Sequence, residues 1–151
     1  MKTLILGLGN PVLTDDGLGF AAVEEVRKRL DGRDVSVSEA SVGGLGLVEL
    51  MVGHDKVIII DAIQSGAAQP GEILRLQPEE FCANARTAWT HDLSFPTALE
   101  LGRRLGMQIP TEIVILAVEG LDLCTFGEQL TPPVAATVPQ LAELVLQELA
   151  R

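Results

Sequence analysis

The sequence predicts an α/β fold in which βα units surround a largely buried sheet. Three features predict it: short β-branched runs alternate with longer stretches of helical period, the strongest run, Val57-Ile58-Ile59-Ile60, has no polar alternation, and glycine or proline punctuates the ends of the runs. Four consecutive apolar β-branched residues suit a strand covered on both faces, hence a central one. With 151 residues, 47% of them apolar and 21% charged, and no internal repeat or linker, a single domain spanning 1–151 is expected.

Residues 3–8 form the first expected strand, ended by Gly7-Leu8-Gly9-Asn10-Pro11, because glycine and proline extend a central strand poorly. A helix should begin near Asp15 or Asp16. Phe20, Val23, Val26 and Leu30 recur near the helical period, Glu24, Glu25, Lys28 and Arg29 take the other face, and Asp31-Gly32 closes it. Residues 35–38 suit a second strand, and Gly43-Gly44-Leu45-Gly46 a flexible loop leading into a short amphipathic helix at 47–52. The central strand, 56–61, delivers Asp61 to its carboxyl end, where α/β sheets place ligands. Residues 71–76 fit an edge strand, 94–105 a helix and 112–118 another buried strand. A last helix is expected over 131–150, with Pro132 and Pro133 tolerated in its first turn.

Acidic residues outnumber basic ones by 21 to 11, and the net charge of -10 repels phosphate backbones and anionic membrane surfaces, so neither nucleic acid nor membrane is an expected partner. The apolar runs fall far short of the ~20 residues of a bilayer crossing. The first strand leads into Gly-Leu-Gly-Asn-Pro rather than a small-residue cleavage site, which makes the cytoplasm the expected compartment. Cys82 and Cys124 have no second cysteine or histidine at zinc-finger spacing and read as free thiols.

Few residues are left to carry chemistry, since the chain has no tyrosine and only two histidines, His54 and His91. Gly7-x-Gly9 lacks the third glycine of a dinucleotide fingerprint. Asp15 and Asp16 follow the first strand; Asp15 reads as a helix N-cap, whereas Asp16, beside Gly17 and Gly19 that let another chain approach closely, can instead face the crevice above the sheet. Asp61 can bond the backbone of Ala62 or Ile63 as a turn residue, or meet a cation at the end of the most buried strand. His91 precedes a helix in Thr90-His91-Asp92-Leu93-Ser94 and reads as a surface-loop residue or as a ligand. His54 suits the carboxyl end of a short helix. Asp16, Asp61 and His91 together would be enough for a divalent metal with open coordination positions, without specifying which metal.

Those residues, in order, resemble a family. Gly7-x-Gly9-Asn10 with Asp15-Asp16-Gly17-x-Gly19, Val-Ile-Ile-Ile-Asp61-Ala62 with Gly66 and Pro70-Gly71 behind it, and His91-Asp92-Leu93-Ser94 are similar to the motifs of the hydrogenase maturation endopeptidases, over nearly the whole chain. The resemblance implies a twisted, mostly parallel (mixed) sheet flanked by helices on both faces. It also implies an endopeptidase that removes a C-terminal extension from a nickel-loaded hydrogenase large-subunit precursor. The family's metal-contacting acids and histidine fall on Asp16, Asp61 and His91, which are thereby the implied catalytic and metal residues. Nickel would arrive with the precursor, and zinc or cadmium would also fit such ligands. Val42-Gly43-Gly44-Leu45 is similar to the family's double-glycine loop but has apolar neighbours. In Val118-Glu119-Gly120-Leu121-Asp122, Gly120 stands where the family often has proline, and Glu119 and Asp122 either line the rim of the site or, the stronger reading, are solvated loop acids.

Two other readings compete. Leu-Gly-Leu-Gly-Asn-Pro is also similar to the opening of peptidyl-tRNA hydrolase, but Thr14-Asp15-Asp16-Gly17 lacks that family's histidine, and the acidic charge opposes tRNA. A non-catalytic protein that binds or delivers metal would use the same ligands.

Overall fold

Side chains on successive strand residues point to opposite faces, and here each face has its own apolar core. The computed structural model describes residues 1–81 and 93–151. Its strands β1 (Thr3–Leu8), β2 (Ser36–Ala40), β3 (Lys56–Ile63), β4 (Ile73–Leu76) and β5 (Glu112–Glu119) form one sheet in the order β2-β1-β3-β5-β4. The pairings are parallel except for β4, which lies antiparallel on β5 at an edge. Ile5, Ile58 and Ile60 enter a core with Val23 and Val26 of α1 (Leu18–Arg29) and Leu141 and Val145 of α5 (Val138–Leu149). Leu4, Leu6, Val57 and Ile59 enter a second core with Leu47 and Met51 of α2 (Gly44–Met51) and Phe95 and Leu99 of α3 (Phe95–Arg104). Helices therefore cover both faces of a mixed, mostly parallel sheet, as the unbroken apolar run of β3 requires. No helix among the described residues is long and apolar enough to cross a membrane.

Several boundaries differ from the sequence expectation for local reasons. β2 runs to Ala40, which still pairs with Leu8. β3 continues past Asp61 because β5 keeps pairing with it, Asp61 opposite Ala117 and Ile63 opposite Glu119. Asp61 thus lies within the strand, not at its end. The glycine loop is already helix: Gly44, at φ 54°, turns the chain into α2, a conformation that favours glycine. The last helix is divided into α4 (Pro132–Ala135) and α5, because Pro139 has no N–H to offer the Ala135 carbonyl and its ring crowds it. Ser94 caps α3, its hydroxyl accepting from the Thr97 N–H at 3.4 Å.

At the amino end of β3, Lys56 is buried and its Nζ donates to the Glu148 main-chain oxygen at 2.6 Å, with the Glu112 carboxylate at 3.1 Å. Glu148 is also bonded by Arg75 and has Arg151 at 3.4 Å. The Arg75 guanidinium holds the Glu148 carboxyl below the usual carboxylate range against the opposing effect of burial.

Candidate functional site

Beyond β1 the chain turns back onto the sheet, and glycine makes the close approach possible. A Cβ on Gly19 would fall 2.3 Å from the Leu8 carbonyl oxygen and 2.8 Å from that of Ile60, and one on Gly7 would fall 2.4 Å from Gly19 O. The start of α1 therefore lies directly on the backbones of β1 and β3. These glycines admit the chain's own backbone rather than a second chain's. Gly17 does likewise, its Cβ position 3.1 Å from Pro11 Cα.

Between the two glycine pairs, Thr14–Gly17 forms a 3-10 turn, not the beginning of the α-helix. Neither acid in it is an N-cap: the cap positions are Leu13 and Gly17, without side-chain cap bonds. Asp15, fully buried, instead accepts from the main-chain N–H groups of Leu121 at 2.9 Å, Asp122 at 3.0 Å and Thr131 at 2.8 Å, and from the Thr131 hydroxyl. Its expected structural role holds, but the role is to clamp a remote loop. Asp16 is buried beside it, with Oδ2 accepting from the Asn10 N–H at 3.1 Å.

The turn carrying Asp16 packs on β3, and Gly19 touches Ile60, the residue before Asp61. Asp16 and Asp61 are thus brought to the same end of the sheet. Asp61 is fully buried and its Oδ1 accepts from the Ala62 N–H at 2.9 Å, the local bond expected of a turn residue but made inside a strand. It shares the strand parity of Val57 and Ile59, the face covered by α2 and α3. His91 and Cys82 lie outside the described residues; Cys124 is a free, exposed thiol. Among the described residues no group of three histidine, cysteine, aspartate or glutamate side chains is placed to hold a metal ion. Asp16 and Asp61 supply two oxygen-donor residues of the three expected ligands, a donor type that suits divalent cations. His54, expected at a helix end, has Nδ1 at 3.3 Å from the Met51 carbonyl at the end of α2.

Two features of this end were not anticipated. Glu119 is not a solvated loop acid: it ends β5, is buried, and accepts from the Ser65 hydroxyl, the Ser65 N–H at 3.0 Å and the Gly66 N–H at 3.3 Å. The signal was available, since Glu119 follows an apolar run just as Asp61 does. Thr14, at φ 54°, is the only non-glycine residue with positive φ among the described residues, a conformation that costs on the order of 1–3 kcal/mol. Its N–H donates to Gly127 O at 2.9 Å and its hydroxyl to Thr125 O, while the Gly127 N–H donates to Val12 O at 3.0 Å. The Asp122 carboxylate, half-buried, accepts from the N–H groups of Cys124 and Thr125, each at 2.9 Å. Hydrogen bonds from the Thr125 side chain and main chain hold the Asp122 carboxyl below its ordinary range. Residues 121–131 are therefore an ordered lip joined to the turn that carries Asp16.

Comparison with known proteins supplies the context. Residues 20–148 match the family model described as hydrogenase maturation protease. The chain is 32% identical to the hydrogenase expression/formation protein HupD of Bradyrhizobium diazoefficiens, covering 99% of this chain and 78% of that one. It is 33% identical to the hydrogenase 2 maturation protease of Escherichia coli, covering 99% and 91%. The solved structure of the hydrogenase maturating endopeptidase HybD from E. coli superposes with a TM-score of 0.82 at 31% identity, covering 99% of this chain and 93% of that one.

Proposed function

The chain belongs to the hydrogenase maturation protease family, and from that premise we propose that it removes the C-terminal extension of a nickel-loaded hydrogenase large-subunit precursor. It is a peptide-bond hydrolase. The observation that supports the site assignment is the placement of Asp16 and Asp61, both buried, on a turn and a strand that pack against each other at one end of the sheet. His91 is the proposed third member. Phe95, four positions after it, is buried in the same core face as Val57 and Ile59, whose parity Asp61 shares.

The precursor's nickel is substrate, completed by Asp16, Asp61 and His91 when the two proteins dock. It supplies polarisation of an oxygen ligand near the scissile bond. One aspartate takes a proton from the attacking water, the water oxygen bonds to the scissile carbonyl carbon, and the proton passes to the leaving amine as the C–N bond breaks. Zinc or cadmium would occupy the same ligands without the precursor's cleavage geometry. The chain acts as one domain, 1–151, in the cytoplasm, where such precursors would be met before assembly.

The test mixes purified protein with nickel-loaded and nickel-free precursor and follows mass by mass spectrometry. Only the loaded precursor should lose its extension, and His91→Ala should abolish that loss while His54→Ala preserves it. Equal cleavage of both precursors would overturn nickel gating. Tight binding of the loaded precursor without cleavage would favour the metal-delivery reading instead.

A further inference from the structure

We propose that the lip's exposed apolar edge, centred on Phe126, is the dock for the precursor segment adjoining the scissile bond; this rests on the protease reading above. Phe126 is 84% exposed and Leu121 54%, and Val12, beside the Leu13 that bridges to Gly127, is 40% exposed. The chain is poor in aromatic residues, with four phenylalanines, one tryptophan and no tyrosine, and Phe81 and Phe95 are spent in the core. A single exposed apolar residue needs no explanation by itself. What distinguishes Phe126 is the frame that holds it.

That frame is ordered from both sides. Leu13 and Gly127 form a parallel bridge, so Val12 and Phe126 flank one short ladder. Thr14 adopts a left-handed conformation and gives both its N–H and its hydroxyl to this ladder. Asp15 fixes the other end of the loop at Leu121 and Thr131. The edge is therefore preorganised, and an anchor meeting it loses little further freedom on the enzyme's side. From Leu13, the bridge partner of Gly127, the chain runs through Thr14 and Asp15 to Asp16, so a polypeptide anchored at Phe126 is tied to the same turn that carries the proposed reacting acid.

Charge narrows the occupant. The lip carries Asp122 and the exposed Glu128 on a chain of net charge -10. An acidic segment would be repelled. The fitting partner is an apolar anchor residue with neutral or basic neighbours, presented by the precursor close to its cleavage point.

Kinetics of loaded precursor with wild-type protein, Phe126→Ser, Phe126→Leu and Leu105→Ser test this, with binding measured in parallel by calorimetry. Leu105 is an equally apolar control, 62% exposed at the end of α3. Phe126→Ser should raise KM and Kd on the order of 10- to 100-fold with kcat little changed, Phe126→Leu should recover most of the loss, and Leu105→Ser should match wild type. Melting temperatures should coincide, because the frame uses main chain and polar side chains rather than the Phe126 ring. Unchanged KM and Kd in Phe126→Ser, with normal wild-type cleavage, would overturn the dock and leave the protease reading standing. Wild-type binding without cleavage, lost in Phe126→Ser, would overturn the protease reading and keep the dock. Self-association of the wild type that Phe126→Ser removes, seen by sedimentation with no change in precursor affinity, would assign the edge to a second copy of the chain and overturn the proposal.

Discussion

At the amino ends of β3 and β5, Lys56, Glu112, Glu148 and Arg75 bring charges of both signs together; at the carboxyl ends of β1, β3 and β5, every buried ionisable group among the described residues is an acid. Opposite charges held together tie β3, β4, β5 and α5 to one another. Asp15, Asp16, Asp61 and Glu119 gather at that end, and Asp16 and Asp61 are not needed there to hold a remote loop as Asp15 and Glu119 do. Violations of local economy concentrate where a protein works. The acidic end divides in turn: Asp15 and Glu119 accept from loops remote in sequence, residues 121–131 and 65–66, whereas Asp16 and Asp61 accept from the N–H groups of Asn10 and Ala62 close by in sequence.

The largest expected effect breaks that internal division. Asp16→Asn or Asp61→Asn should lower cleavage of loaded precursor by roughly 1,000-fold or more, about 4 kcal/mol in the barrier. Stability by urea unfolding should change little, because asparagine keeps an oxygen able to accept from the Asn10 or Ala62 N–H. Full activity in either variant would remove that aspartate from the proposed chemistry and dissolve the contrast between the two ends.

Asp15→Ala should act the other way. It leaves the N–H groups of Leu121, Asp122 and Thr131 without their acceptor. A loss of about 3 kcal/mol is expected, with a melting temperature lower by roughly 6–12 °C. That exceeds what a helix cap would give, typically about 1 kcal/mol, so calorimetric melting distinguishes a clamp from a cap. A loss below about 1 kcal/mol would mean the 121–131 lip holds itself without Asp15.

These acids show which parts of the molecule were legible in the sequence. The apolar run of β3 identified the central strand because burial on both faces is written locally, residue by residue, in Val57-Ile58-Ile59-Ile60. The same local signal pointed to Asp61. The clamp at Asp15 was not legible as such, since its partners lie 106, 107 and 116 positions away and no periodicity links them. Asp15 was expected to be structural, but by the nearest available mechanism. Thr14 gave no sign of its left-handed backbone, because tertiary bonds to Thr125 and Gly127 impose it. Pro139 marks a break that the helical period of 138–149 hides, because its missing N–H leaves the Ala135 carbonyl without an intrahelical donor. Of the three site residues, the structure brings Asp16 and Asp61 to one end of the sheet, whereas the convergence of His91 with them rests on the proposal.

The smallest effect sharpens the comparison from the charge-paired end. Glu148 is held below the ordinary carboxylate range first by its hydrogen bond from Arg75, with Arg151 and Lys56 adding attraction, while burial opposes them. A carboxyl whose folded pKa is depressed stabilises the fold fully above its unfolded value, about 4.3, and loses that contribution as pH falls through the folded value. Arg75 is half-exposed, so the pair is worth about 1 kcal/mol after solvent screening. Glu148→Gln should therefore be less stable than wild type by about that amount at pH 7, and the gap should close as pH falls from about 5 towards 3. Lys56 keeps Glu112 and the Glu148 main-chain oxygen in the variant, so the measurement reports the carboxylate rather than an abandoned lysine. Urea unfolding of both proteins at half-unit pH steps reads the closing directly. A gap that stays constant through this window would assign Glu148 a packing role only, and the charge contrast between the two ends of the sheet would then rest on the acidic end alone.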